Sequence, residues 1–111
     1  MKIAVTYENG QVFQHFGHTE QFKIYEAAEG KVVSARVVET GGSGHGALAG
    51  FLRGLGVDTL ICGGIGGGAR SALAEAGIQL YPGASGSADA QVEALLAGSL
   101  AYDPNTVCSH H

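Results

Sequence analysis

At 111 residues, with six Lys and Arg against ten Asp and Glu, the chain carries a formal net charge of −4. It is long enough for one domain with a real core, and it lacks the clustered basic surface that nucleic acid demands. Two widely separated cysteines read as free thiols or metal ligands and not as a disulfide framework, and no apolar run approaches the roughly 18 residues of a membrane span.

Met1-Lys2-Ile3-Ala4-Val5 passes straight into strand pattern with no secretory leader, so a cytoplasmic, reducing setting is expected. Lys2 to Tyr7 reads as a first, central strand, closed by the Glu8-Asn9-Gly10 turn. Gln11-Val12-Phe13 is a short segment, and Gln14-His15-Phe16-Gly17-His18 is a loop held down by its two phenylalanines. Gln21 to Ala27 is a second strand, Glu29-Gly30 a turn, and Lys31 to Glu39 a third strand, together an antiparallel meander. Thr40 to Gly46 is a glycine-laden approach to a helix over Ala47 to Leu55. The three- and four-residue spacing of Leu48, Phe51, Leu52 and Leu55 gives that helix one apolar face.

Val57 to Ile61 is a short, nearly all-apolar fourth strand, as suits a strand covered on both faces. A second helix is expected over Ala69 to Ala76, closed by Gly77, then a fifth strand over Ile78 to Tyr81. Ser87 or Asp89 caps a third helix that runs to Ala97, with Gly98 after it. The tail, residues 102–111, has no core pattern and is expected to be flexible. The order β-β-β-α-β-α-β-α predicts one α/β domain, residues 1–101, with a mixed five-stranded sheet between helices. In such sheets ligands bind beyond the carboxyl ends of the parallel strands, where the loops after strands one, three and four converge.

Those loops carry the chemistry. Five of the six residues after Cys62 are glycine, Gly63-Gly64-Ile65-Gly66-Gly67-Gly68, between a strand and a helix. So much glycine costs backbone entropy and fits a chain that must approach something closely. The amides of this turn and of the helix start favour an anion, and a bulkier residue at Gly66 is expected to block backbone approach and to penalise any positive φ. Cys62 is either an inert core thiol or, acidified by those amides, a thiolate able to bind iron. His15 and His18 are either solvated loop imidazoles or a pair that reaches one metal. His45 is either a local turn residue or a ligand exposed by the glycines on both sides of it. Arg70 either adds positive charge or decorates the helix surface. Cys108, His110 and His111 form a separate metal site or a clamp over the first.

Gly64 to Ala69 also satisfies the Gly-x-Gly-x-x-Gly/Ala pattern of nucleotide-binding turns. The next strand ends at Tyr81-Pro82-Gly83 without an acidic residue for a ribose, no Gly-Lys-Ser/Thr follows, and no carboxylate pair stands beside the loop. An enzyme is therefore not expected, and no residue is assigned a catalytic role. The remaining alternatives are a small nucleotide-binding protein and a cofactor-free interaction module.

With His15-Phe16-Gly17, Ser43-Gly44-His45-Gly46 and Cys62-Gly63-Gly64-Ile65-Gly66 all in place, the sequence resembles the dinitrogenase iron–molybdenum cofactor biosynthesis family over Met1 to Leu100. That family includes NifX-like proteins and the carboxyl-terminal domain of NifB-like proteins. The resemblance implies a ribonuclease-H-like, three-layer α/β/α fold without nuclease carboxylates. It also implies carriage of an iron–sulfur or iron–molybdenum-type cluster without turnover, between donor and acceptor proteins, with a homodimer as one way to complete the seat. On this reading His15, His45, Cys62 and the backbone of Gly64, Gly66, Gly67 and Gly68 bind the cluster, and His18 is a further metal ligand.

Overall fold

The computed structural model describes residues 1–41 and 45–104, residues 45 and 46 through their backbone alone. The sheet is built outward from β1 (Lys2–Glu8), whose Ile3, Ala4, Val5 and Thr6 are all fully buried. A strand buried on both faces belongs in the middle of a sheet. β1 pairs antiparallel with β3 (Gln21–Ala28) on one side and parallel with β5 (Thr59–Ile61) on the other. β4 (Lys31–Glu39) continues beyond β3 and β6 (Gln79–Tyr81) beyond β5, giving the order β4-β3-β1-β5-β6.

The mixed sheet has six strands, not the expected five. β2 (Gln11–Val12) folds back on the end of β1, pairing Tyr7 with Val12 and Glu8 with Gln11. Asn9 and Gly10 both take positive φ, 50° and 84°, which is the two-residue turn that lets so short a hairpin close. Glu29 and Gly30, at 53° and 76°, make the corresponding turn from β3 to β4.

Helices cover both faces. α1 (His45–Gly54) and α2 (Gly67–Glu75) enclose one core in which Leu48, Leu52 and Leu73 meet Ala4, Phe22, Ile24 and Leu60. α3 (Ala88–Ala97) covers the other, where Ala88 and Val92 meet Ile3, Val5, Tyr25 and Ile61. Ser87 caps α3 by accepting from the Ala90 amide at 3.3 Å, and Gly98 closes it at φ 77°. α1 and α2 each begin two residues earlier than the apolar spacing predicts, because their first turns are formed by glycine-flanked loop residues that carry no apolar signal.

The first residues of the predicted flexible tail are docked. The Tyr102 ring meets Tyr81 edge-on at 4.9 Å, the Asp103 amide donates to the Pro82 carbonyl at 2.8 Å, and Arg70 Nη1 donates to the Pro104 carbonyl at 2.9 Å. Among the described residues no helix is long and apolar enough to cross a membrane.

Candidate functional site

The carboxyl ends of β1 and β5 lead into two loops that run side by side. After β2 the chain turns back through Phe13, whose carbonyl accepts from Thr6 Oγ1 at 2.7 Å. It then pairs with the glycine loop in a short parallel bridge, His15 to Gly64. The Gly64 amide donates to the Gln14 carbonyl at 2.6 Å, and the Phe16 amide donates to the Gly64 carbonyl at 3.1 Å. Buried Phe16 anchors this loop in the core, and the short 3-10 turn Phe16–His18 follows.

The five glycines fall into two kinds. At Gly63 a Cβ would lie 2.7 Å from Gln14 Cα and 2.6 Å from Gln14 Oε1, so only glycine lets the two loops approach. Gly66, Gly67 and Gly68 are exposed, and a Cβ on any of them would meet nothing within 4 Å. Gly66 sits at φ −82° and ψ 163°, so no positive φ calls for glycine there; Gly67 and Gly68 already belong to α2. The fold makes no demand for glycine at these three positions. Their effect is to leave the amino end of α2 without a side-chain cap among the described residues: the cap residue, Gly66, offers its amides no side-chain acceptor, and no acidic residue stands in the first turn.

Cys62 differs from the acidified thiol that the neighbouring amides suggested. It is fully buried in the core beneath α1 and α2, and its Sγ donates to the Gly63 carbonyl at 3.7 Å. Burial pushes the thiol up to about 12, and the opposing effect of the Arg70 charge is smaller. Desolvation penalises the thiolate more than nearby positive charge favours it. In this conformation Cys62 is a core residue.

His15 is half-buried beside the glycine loop, its ring 6.1 Å from Phe13 and 6.3 Å from His18. His18 is exposed and lines a hollow of about 160 Å³ together with Glu8, Glu20 and Glu39 among others. Three carboxylates there disfavour an anion, and His15 lines a neighbouring hollow with Glu8, Gln11, Val12, Phe13 and Gln14. His45 enters as the backbone that opens α1; its imidazole lies outside the described residues, as do Cys108, His110 and His111. Among the described residues no three His, Cys, Asp or Glu side chains converge on a point that could hold a metal ion. The structure therefore joins the His15 backbone to Gly64, keeps the rings of His15 and His18 beside each other, and sets Cys62 in the core at the end of β5. Sequence reasoning missed Gln14, which wedges against Gly63 and ties the loop down through Nε2 to the Ala84 carbonyl at 3.2 Å. The glycine opposite it was the available signal.

Known proteins resemble this chain in sequence and in fold. The FeMo cofactor biosynthesis protein NifB of Sinorhizobium fredii is 40% identical over 87 residues, 71% of this chain. The chain spans only 18% of that protein's length. The crystal structure of PH0822 superposes with a TM-score of 0.88 at 27% identity, covering 95% of this chain and 96% of that one. The apo form of the orange protein from Desulfovibrio gigas gives 0.80 at 29% identity, covering 93% and 92%. A family profile described as "Dinitrogenase iron-molybdenum cofactor" matches residues 1–98, across both paired loops and all three helices. The chain belongs to the dinitrogenase iron-molybdenum cofactor family.

Proposed function

We propose that this protein binds a preformed iron–sulfur or iron–molybdenum-type cluster as cargo, on an open seat formed by His15 and the amides of Gly66, Gly67 and Gly68. Such clusters are polyanions, and outward-pointing amides at a helix start stabilise negative charge without basic side chains. One observation carries the reading: three consecutive glycines stand where the fold has room for side chains and no strained φ to relieve. Glycine serves well enough as the cap at Gly66, but at Gly67 and Gly68, within the first turn, it lowers stability relative to alanine, so its presence there is explained by what must reach the backbone. The relationship to NifB, whose name is that of a cofactor biosynthesis protein, supplies the cargo class.

His15 is the direct ligand on this reading, which is supported by the backbone bridge that brings its loop against Gly64. The donor set suits a cluster that arrives assembled and leaves again, because a protein-built iron–sulfur centre usually draws four thiolates from the chain. The chain acts as a carrier between donor and acceptor proteins in a reducing, cytoplasmic compartment, without turnover, and its sheet serves as a ribonuclease-H-like scaffold used only for binding.

The test is reconstitution without oxygen, with iron and sulfide or with a cluster-loaded donor, followed by visible absorbance and by metal and acid-labile sulfide content. His15→Ala should lose most of the bound chromophore, and Cys62→Ala should keep it. Unchanged loading of His15→Ala would remove the proposed seat. Micromolar binding of ATP or NAD to the same loop would replace the cluster by a nucleotide.

A further inference from the structure

Residues 102–104 form a strap that returns to the carboxyl end of the sheet and is held there from two sides. The Tyr102 ring meets Tyr81, and the Asp103 amide donates to the Pro82 carbonyl at 2.8 Å. The strap lies directly against Gly83, where a Cβ would come within 2.8 Å of both the nitrogen and the Cβ of Asp103. The loop beneath it abuts the glycine loop: the Gly83 amide donates to the Gly63 carbonyl at 2.9 Å, and the Ala84 amide to the Cys62 carbonyl at 3.0 Å. From the other side Arg70 reaches out of α2, its Nη1 donating to the Pro104 carbonyl at 2.9 Å.

The position of Arg70 within α2 decides what its charge can do. Its amide donates to the Gly66 carbonyl at 3.1 Å, so it stands one turn beyond the cap. Side chains on a helix lean toward the amino end and cover the turn before their own Cα. The strap follows the carboxyl end of β6, which runs parallel to β5 and so ends level with the start of α2. Half-buried Arg70, in reaching it, leans over the Gly66–Gly67 turn. Its charge is felt at Cys62, where the same loop begins. For the fold alone this is a poor place for a cation, because the amino end of a helix already carries partial positive charge and no acidic residue stands in its first turn. The Pro104 carbonyl is a neutral acceptor, so this contact fixes the guanidinium and leaves its charge in place.

We propose that Arg70 is an anion-contacting residue of the seat, and that the strap holds its guanidinium over the first turn of α2. The inference rests on the seat proposed above and adds a fixed cationic side chain to it. A guanidinium carries several N–H donors in a rigid fork, so a bond to Pro104 does not consume its capacity to bind an anion. Held in advance, the side chain loses little rotamer freedom when cargo arrives, and the affinity is higher for it.

Titration of the full chain with a preformed synthetic iron–sulfur cluster, without oxygen, reads the effect. Arg70→Ala should weaken binding by roughly tenfold, the lower range for a hydrogen bond to a charged group, and should make binding less sensitive to added salt. Arg70→Lys, which keeps the charge, should return binding to within roughly threefold of the wild type. A variant with the strap released, Tyr102→Ala with Asp103→Pro, loses the ring contact and the amide donor and should bind about threefold more weakly. Adding the same two changes to Arg70→Ala should cost nothing further, because the strap then has nothing to position. A wild type that binds no cluster would overturn the seat and this inference with it. If the wild type binds and Arg70→Ala binds as tightly, the seat stands and the role of Arg70 falls. Losses that simply multiply in the combined variant would overturn the coupling of strap to Arg70, and so the proposal.

Discussion

Replacing Gly67 and Gly68 together by alanine should stabilise the protein while impairing cargo binding. Both lie in the first turn of α2, neither has a positive φ, and an added Cβ meets nothing within 4 Å. Glycine costs about 0.8–1.0 kcal/mol relative to alanine inside a helix; allowing half of that at a helix start gives about 1 kcal/mol for the pair. A chain of 111 residues has an unfolding entropy near 0.23 kcal/mol/K, so the melting temperature should rise by about 4 °C. Cluster loading should fall by at least about tenfold, equivalent to about 1.4 kcal/mol, as two methyl groups hold a bulky anion off the amides. Gly63→Ala is the contrasting variant, since its Cβ would lie 2.7 Å from Gln14 Cα, and it should lose about 1–3 kcal/mol. Thermal and denaturant melts, with cluster titration of the same preparations, measure all three effects. A destabilised double variant would show that the fold requires these glycines. A stabilised variant with undiminished loading would show that the cargo does not use them.

In a chain carrying Cys108→Ser, alkylation of Cys62 at neutral pH should be about 1,000-fold slower in the native state than in denaturant. That factor is the thiolate fraction lost as burial pushes the thiol up to about 12 from its ordinary value of 9.0; native rates within tenfold of the denatured rate would restore Cys62 as an accessible ligand. Asp89 is held below the usual carboxylate range first by its hydrogen bond to Lys23 Nζ at 2.8 Å and then by the one from the Tyr25 hydroxyl. That stabilisation is present above the unfolded value of about 3.9 and is lost as pH falls through the lowered folded value. The stability gap between the wild type and Asp89→Asn should therefore be steady from about pH 5 to 7 and shrink below about pH 4 in acid titrations followed by circular dichroism. A gap that widens in acid would contradict the assignment.

The layers were readable because their signals are local. The Asn9-Gly10 and Glu29-Gly30 turns, the leucine spacing of α1, and the Ser87 cap each lie within a few residues, and the element order made β1 and β5 neighbours. The site was readable in its parts only. His15 and Gly64 meet through a bridge between loops 49 positions apart, and no local pattern specifies that pairing. The depth of Cys62 was hidden for a different reason. β5 is buried on both faces at Thr59, Leu60 and Ile61, so its apolar run carries no alternation from which to tell which way the next side chain points. The divided role of the glycines was also invisible, because Gly63 and Gly66 look alike until Gln14 is placed beside one of them.

The position of β1 bears on how the chain acquires its structure. β3 and β4 lie close in sequence and join through a two-residue turn, so that hairpin can form as soon as its residues are available. β1 adds to it from nearby, but its other edge waits for β5, with Lys2 and Asp58 joined across 56 positions by a bond from the Lys2 amide to Asp58 Oδ2. Closing so long a loop costs entropy before the parallel pairs compensate it, and this makes the β1–β5 seam the slow event of folding. Substitutions in that seam, at Ala4 or Leu60, should act on the rate of folding, whereas those at the outer edges of the sheet should act mainly on the rate of unfolding. The two loops of the proposed seat are joined only after the seam has closed, so that surface comes into being last.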